Sequence, residues 1–214
     1  MEILKPLHTL STPAFSPNYD NKIFKKFSVR TLDEKLINKM AFQQELGLVA
    51  EKKIPLICIP DGMSDESGGE IFNEVIPGIL SMECQILVRG IGSKKYGEML
   101  TDLANKYPHK IKIVKDDEVL RRKMYAACDM SLFFSKNPDE IVNCMAYGAV
   151  PICFDQEGAT DFDPVQESGN AFAASSDSSW SLFAAIVRAC ETFRLPYDWK
   201  TIQKQAMESV KITA

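Results

Sequence analysis

The sequence predicts an α/β protein built on a doubly wound parallel sheet of about six strands, with helices on both faces. From residue 54 onward, short apolar segments alternate with longer ones whose apolar residues recur at helical spacing. The short segment at residues 130–134 carries no charge, as a strand buried on both faces does. Of the 214 residues 45% are hydrophobic, which is enough to bury a substantial core.

The N-terminal residues 1–32 are expected to form an extended connector, because three prolines and turn-forming residues interrupt any periodicity. Within it, three lysines alternate with Phe24 and Phe27, a pattern we interpret as a solvated loop anchored by two rings. The folded domain is predicted to span residues 33–214.

A first helix is predicted over residues 32–46. Its inward face is expected to carry Leu36, Ile37 and Met40, which share one side of a helix. Gly47 follows as the glycine that commonly ends a helix.

The alternating pattern then gives the remaining elements. Strands are predicted at residues 54–60, 84–92, 110–115, 130–134, 150–154 and 170–175, and helices at 68–82, 94–107, 117–128, 138–147, 178–193 and 198–210. The strand at 110–115 alternates in polarity, which is typical of a sheet edge.

The stretch at residues 129–154 is the clearest βαβ unit. Asn137 suits the helix N-cap, Pro138 the first turn, and Gly148 the left-handed residue after the helix. Ligands of such sheets bind beyond the carboxyl ends of the strands, so a site is expected at the loops after Phe134 and Phe154.

Composition excludes several functions. A net charge of -4 without a basic segment argues against nucleic acid as a partner. Six cysteines in or beside apolar segments, with no C-x-x-C pair, indicate reduced core residues. The two histidines have no local partner and are interpreted as surface residues. Because no signal segment or membrane-spanning apolar run is present, we expect a cytoplasmic protein that does not contact a membrane.

A family resemblance rests on several segments in a fixed order. The segment INKMAFQQELGL at residues 37–48 closely resembles the one that opens the C-terminal domain of bacterial glycogen synthases and plant starch synthases. Residues 55–77, ILVRGIG, MYAACD, YGAVPI and the connector extend the resemblance over nearly the whole chain.

The resemblance implies a GT-B architecture, in which two Rossmann-like domains face a cleft. In that family the C-terminal domain holds ADP-glucose and the N-terminal one holds much of the glucan acceptor. This chain would correspond to the donor-side domain alone, in the cytoplasm, or in a plastid if it comes from a plant or alga.

The donor site departs from the family in the loop after the first strand. Gly62 and Ser67 stand where the family has an arginine and a lysine that neutralise the departing diphosphate, so no catalytic residue is assigned. The loop carries four carboxylates and no cation. The helix start at Ser67, Gly68 and Gly69 still offers backbone N–H groups to an anion.

Three further elements differ. The loop before the helix at 138–147 is shorter than in the family and lacks its glycines, and Asn143 replaces a glutamate that holds the ribose. Asp116 stands where an aromatic ring is usual beside adenine, and residues 157–163 replace a glycine-rich loop. Candidate nucleotide-sugar ligands are Ser67, Gly68, Gly69, Gly90, Ser135 and Asn143.

Alternative interpretations stand beside these candidates. Asp61, Asp65, Glu66 and Glu70 suit a divalent cation by chemistry, but their spacing fits no calcium loop and a solvated acidic loop is favoured, so no metal or cofactor is expected. The pair Gly90 and Gly92 is explained by turn geometry as well as by phosphate binding. Cysteines 144 and 153 are taken as inert thiols, not nucleophiles. The aromatic rings of the last two helices could stack on a sugar, but packing between these helices is the commoner use of such rings. The rings are those of Trp180, Phe183, Phe193, Tyr197 and Trp199.

Three functions follow. The first is the donor-side half of a glucosyltransferase that moves glucose from ADP-glucose to an α-glucan. The second is a pseudoenzyme that keeps the fold as a binding or scaffolding module. The third is an unrelated flavodoxin-like binding domain, which would require the match of the opening segment to be a coincidence. The departures predict a member of the family that is inactive by itself, with ADP-glucose or glucan as possible ligands and a separate acceptor-side domain or a second copy as possible partners.

Overall fold

A computed structural model describes residues 9–10 and 16–212 and contains the predicted parallel sheet. The strands β2 to β7 form it in the spatial order β4-β3-β2-β5-β6-β7, and every neighbouring pair is parallel. These strands are β2 (Leu56–Ile59), β3 (Gln85–Arg89), β4 (Ile111–Val114), β5 (Met130–Leu132), β6 (Val150–Phe154) and β7 (Phe172–Ala174), while β1 (Thr9–Leu10) pairs with β8 (Lys211–Ile212).

Seven α-helices in the described residues cover the sheet. They are α1 (Lys35–Glu45), α2 (Gly69–Ser81), α3 (Lys94–Lys106), α4 (Glu118–Ala127), α5 (Pro138–Ala146), α6 (Ser179–Phe193) and α7 (Pro196–Glu208). The predicted fold class is therefore confirmed, with β4 at one edge as its alternating pattern indicated. Several boundaries differ by two or three residues: a 3-10 turn at Val29–Glu34 precedes α1, β3 ends at Arg89 instead of residue 92, and β5 ends at Leu132 instead of residue 134.

The core lies in two layers, one on each face of the sheet. Alternate residues of a strand point to opposite faces, so Ile57 of β2 packs in the layer under α2, α3 and α6, and Cys58 packs in the layer under α1, α4 and α5. Helix α7 borders both layers, with Ile202 in the first and Ala206 in the second. Both faces of the sheet are thereby covered, as a parallel sheet requires.

The inward face of α1 differs from the prediction. Leu36 and Ile37 are 40% and 48% exposed, and Met40 is half-buried, whereas Lys35 and Lys39 are almost fully buried. The Lys35 ammonium donates to the carbonyl oxygens of three residues at 2.9–3.0 Å, namely Tyr125, Ala126 and Tyr147, which end α4 and follow α5. Unpaired carbonyls at a helix end attract a cation, which explains the inward position of Lys35. Lys39 instead bonds to carbonyl oxygens of the segment before β2 and to the Asp129 carboxylate.

The predicted connector packs on the domain where the structure describes it. Ile23 and Phe27 are buried in the layer under α1 and α4, whereas Phe24 is 41% exposed. Residues 1–8 and 11–15 lie outside the described residues, so the division at residue 32 stays a prediction. Within the described part of the chain, no helix has the length and apolar character needed to cross a bilayer.

The sheet has a topological switch point between β2 and β5. The chain adds β3 and β4 on one side of β2, then returns to place β5, β6 and β7 on the other. The loops that leave β2 and β5 therefore turn to opposite faces, and a crevice opens between them.

Candidate active site

A polar cleft of about 350 Å³ lies at this switch point, beyond the carboxyl ends of β2, β3 and β5. The loops after these strands and the start of α5 bring its side chains together. Its lining includes Asp61, Ser64, Glu66, Ser67, Arg89, Ser135, Lys136, Asn137 and Glu140.

Asp61, which follows β2, is held against the start of α5. Its Oδ1 accepts a hydrogen bond from Nδ2 of Asn137 at 2.7 Å, while its buried Oδ2 has no partner among the described residues. Burial and, to a smaller extent, the nearby carboxylate of Glu140 raise the pKa of Asp61 to about 6, against the opposing effects of Asn137 and Arg89. The cleft thus contains a carboxylate oxygen with unused hydrogen-bonding capacity.

Glu140 is the second carboxylate, and its side chain is largely enclosed. The hydroxyl of Tyr125 donates to its Oε1, and Nδ2 of Asn143 donates to its Oε2 at 3.2 Å. The side chain of Asn137 caps α5 by accepting from the Glu140 backbone N–H at 3.2 Å, as its N-cap position predicted. The cap and the two donors fix the Glu140 carboxylate at the cleft wall.

Arg89, the last residue of β3, brings a cation between two carboxylates. Its Nε donates to Oδ1 of Asp116 at 2.8 Å, and its Nη1 lies 3.8 Å from Oε1 of Glu140. Asp116, the position where the family resemblance implied an aromatic ring, therefore serves to hold this arginine. Much of the positive charge of Arg89 is already compensated within the protein.

The loop after β2 is shaped around two glycines in the left-handed region. Gly62 has a φ of +61° and Gly68 a φ of +86°. A Cβ atom at Gly62 would lie 2.2 Å from the carbonyl oxygen of Ile91, and one at Gly68 would lie 2.3 Å from that of Phe134. In this loop conformation, the position that resembles the family arginine has no room for any side chain.

Ser67 is engaged within the same loop. Its Oγ accepts from the Ser64 backbone N–H at 2.7 Å, and its own N–H donates to Oγ of Ser64 at 3.1 Å. Glu66 accepts from the Ser64 hydroxyl at 3.0 Å. The two serines therefore brace the turn that leads into α2.

The acidic residues of the loop diverge. Asp65 accepts from the Tyr96 hydroxyl at 2.7 Å and from the Lys95 ammonium at 3.2 Å, and these two hydrogen bonds lower its pKa. Asp61 instead turns to the start of α5 and its Asn137. Among the residues that the structure describes, no three His, Cys, Asp or Glu side chains converge as a metal ion would require.

Some of the candidate nucleotide-sugar ligands line the cleft and others lie outside it. Ser67 and Ser135 line the cleft, and Asn143 reaches its wall through Glu140. Gly68 and Gly69 begin α2 beside it, whereas Gly90 lies against β4 and outside the lining.

Sequence reasoning missed the two cations of the cleft. It described the loop after β2 as free of cations, which is correct for that loop, but Arg89 and Lys136 enter from other elements. Arg89 stands at the carboxyl end of an otherwise uncharged strand, and that position is the signal that identifies it in the sequence. Glu140 and Asn137 were missed as cleft residues because only the fold brings them to Asp61.

The structure also shows the surroundings of the tryptophans and cysteines that were considered as alternative functional residues. Trp199 is buried, with its ring 5.1 Å from that of Phe193 and stacked 6.5 Å from that of Phe172, so packing explains it. Trp180 is 81% exposed and does not take part in that packing. Burial raises the pKa values of Cys144 and Cys153, which makes thiolates unfavourable there.

Comparison with known proteins gives relatives along most of the chain, although no family model matches. A glycogen synthase of Fervidobacterium nodosum is 32% identical over 209 residues, which are 94% of this chain and 43% of that protein. A glycogen synthase of Cellvibrio japonicus is 30% identical over 211 residues, with 94% and 44% covered. This chain is the C-terminal half of a GT-B glycosyltransferase, similar over 94% of its length to glycogen synthases.

Solved structures agree with the family in fold. The catalytic domain of starch synthase IV from Arabidopsis thaliana, bound to ADP and acarbose, superposes with a TM-score of 0.76 at 20% identity, over 91% of this chain and 43% of that one. A glycosyltransferase from Rickettsia africae has a TM-score of 0.63 at 16% identity, over 94% and 50%. The family resemblance is thus confirmed, and the chain spans less than half the length of the family members named above.

Proposed function

We propose that this chain is the donor-side half of a glycogen-synthase-like glucosyltransferase whose cleft has lost tight binding of a nucleoside diphosphate, so that the chain by itself does not transfer glucose. The observation that carries this proposal is the charge of the cleft. Three carboxylates line it, those of Asp61, Glu66 and Glu140, against two cations, Arg89 and Lys136. Arg89 is already compensated by Asp116 and Glu140.

The electrostatic balance opposes a diphosphate. At partly shielded separations of 6–10 Å, each uncompensated carboxylate costs a phosphate charge about 1 kcal/mol or more. The candidate donors before and at the start of α2 are already used, because the backbone N–H groups of Ser67, Gly68 and Gly69 donate to Ser64 and Asp65 within the loop. A helix terminus contributes only about 0.3–1 kcal/mol in any case, and Glu70 occupies the first turn. The helix terminus does not offset the carboxylates.

The conformation of the loop after β2 supports the same conclusion. Transfer of glucose requires cations where negative charge collects on the departing diphosphate. The arginine position is Gly62, with Ile91 packed against it, and the lysine position is Ser67, whose hydroxyl is bonded within the loop. Neither position supplies a charge.

A second candidate function rests on Lys136. Its exposed ammonium lines the cleft and has no partner among the described residues. In that alternative, Lys136 holds ADP-glucose, and an acceptor-side domain or another polypeptide completes the enzyme. An α-glucan is the acceptor in both alternatives, and we place the chain in the cytoplasm or a plastid, because its six cysteines are unpaired.

Calorimetric titration of ADP and ADP-glucose into the purified chain tests the proposal, with the Fervidobacterium nodosum glycogen synthase as positive control. We expect no binding below millimolar concentration and no transfer of labelled glucose from ADP-glucose to glycogen. Micromolar binding without transfer would replace the proposal with the second candidate function. Transfer by the chain alone would refute both.

A further inference from the structure

A second large cavity lies at the opposite end of the strands from the cleft, beside the amino ends of β2 and β5. This groove of about 790 Å³ runs between α1, the segment before β2, and the start of α7. We call it the basic groove, because six cationic side chains line it: Lys35, Lys39, Lys52, Lys53, Arg194 and Lys200. Only two carboxylates, Asp33 and Asp129, do so.

The basic groove has an excess of positive charge, although the whole chain has a net negative charge. Its lining has four more cations than carboxylates, whereas the complete sequence has a net charge of -4. The sequence showed no basic face because these six residues come from three separate segments. A local excess of one sign in a concave site attracts ligands of the opposite sign.

Half of these cations are neutralised within the protein. Lys39 pairs with Asp129 at 2.7 Å, Lys200 with Asp33 at 2.9 Å, and Arg194 with Glu191 at 3.1 Å. The ammonium of Lys35 is bonded only to carbonyl oxygens, so its charge has no direct carboxylate partner. Burial lowers the pKa of Lys35 to about 8, and the group is still charged at neutral pH.

The side chains of Lys52 and Lys53 are the available cations. Both are exposed, and neither ammonium has a partner among the described residues. The nearest acidic side chain in the sequence, Glu51, bonds to the Lys53 backbone N–H at 3.0 Å. Two free ammonium groups therefore face a groove that already carries the charge of Lys35.

The start of α7 adds an apolar surface. It adds no backbone donor, because Pro196 has no N–H, the N–H of Trp199 is bonded to Leu195, and the other residues of the first turn do not line the groove. Phe193 and Trp199 provide rings at the same end of the groove. Cations and rings together suit a ligand with both an anionic and an apolar part.

We propose that the basic groove binds a phosphorylated small molecule, with its phosphate on Lys52 and Lys53 and its apolar part against Phe193 and Trp199. The volume lies within the usual range for small-molecule sites. The groove and the switch-point cleft lie at opposite ends of the strands, so this site is independent of donor binding.

The two tryptophans make a direct test possible, since Trp199 lines the groove and the exposed Trp180 lies on α6 outside it. Phenyl phosphate is titrated into the ¹⁵N-labelled chain, and the two indole N–H resonances are followed. We expect a saturable shift of the Trp199 signal with little change at Trp180. Raising the salt concentration should weaken the binding, because charge supplies part of it.

Charge-reversal variants and an uncharged probe test whether the groove recognises the phosphate group. In the Lys52→Glu/Lys53→Glu double variant, we expect the affinity for phenyl phosphate to fall about tenfold or more, as loss of charge complementarity predicts. The matched control Lys115→Glu, at the carboxyl end of β4, should bind as the wild type does. Benzyl alcohol should shift Trp199 weakly.

Absence of a Trp199 shift, an equal shift from benzyl alcohol, or unchanged affinity in the double variant would overturn the proposal. None of these outcomes bears on ADP binding at the cleft. Conversely, ADP heat that persists in the double variant comes from the cleft, so the two sites are measured separately.

Discussion

Buried charged groups at the two ends of the strands differ in how completely they are hydrogen-bonded. At the amino end, Lys35 and Lys39 are nearly inaccessible, and each ammonium has three oxygen partners. At the carboxyl end, Asp61 leaves one buried oxygen without a partner, beside a second carboxylate at Glu140. Buried charge is tolerated when it is saturated with partners and is otherwise unfavourable. Removing a lysine at the amino end would leave its carbonyl partners without a donor, whereas removing the charge of Asp61 would relieve a buried oxygen that lacks a partner.

The largest effect is expected at Lys35. Lys35→Met keeps the length of the side chain but leaves three carbonyl oxygens without their donor, so the free energy of unfolding should fall by about 3 kcal/mol or more. Urea denaturation measures this change. Lys53→Met, at an exposed lysine, should change it by less than about 0.5 kcal/mol. Equal effects at the two lysines would show that the Lys35 contacts contribute little.

The next effect is expected at Gly62. Gly62→Arg restores the residue type of the family but forces a side chain against Ile91 at positive φ, so we expect a loss of about 2–4 kcal/mol and no gain in ADP affinity. Gly97→Ala is the matched control, because a Cβ there meets open space on α3 and should be neutral or stabilise by up to about 1 kcal/mol. A stable Gly62→Arg variant that binds ADP more tightly would show that the loop opens readily.

The smallest effect is expected at Asp61, with the opposite sign. The pKa of Asp61 is about 6 in the folded chain, above the usual value of about 3.9 in the unfolded chain. Between pH 4 and pH 6 the folded state keeps a proton that the unfolded state has lost, so stability falls as the pH rises and stays reduced at pH 7. Asp61→Asn should therefore stabilise the chain at pH 7 by about 1–2 kcal/mol and flatten this dependence.

Asp65 supplies the control for Asp61. Hydrogen bonds from Tyr96 and Lys95 lower its pKa, so its contribution is present at neutral pH and is lost on acidification. Asp65→Asn should lower stability at pH 7, opposite in sign to Asp61→Asn. Urea denaturation at pH 4.5 and pH 7 separates the two. The same sign in both variants would contradict the charge analysis of the cleft.

The sequence predicted those parts of the molecule that are governed by local rules. Uncharged apolar segments gave the strands, and Asn137, Pro138 and Gly148 gave the ends of α5, because capping depends on neighbours in the chain. The face of α1 was predicted wrongly, since the carbonyls that attract Lys35 belong to distant helices. Arg89 was missed although its position at the carboxyl end of β3 is visible in the sequence, whereas the loop conformation at Gly62 depends on a contact with Ile91 that local sequence does not reveal.

The six buried thiols make the two core layers separately observable. Cys84 and Cys190 lie in the layer under α2 and α6, whereas Cys58, Cys128, Cys144 and Cys153 lie in the other. An alkylating reagent reaches each thiol only when its surroundings open, and raised thiol pKa values slow the reaction until then. Mass spectrometry after pulsed alkylation would therefore record which side of the sheet opens first and whether both open together.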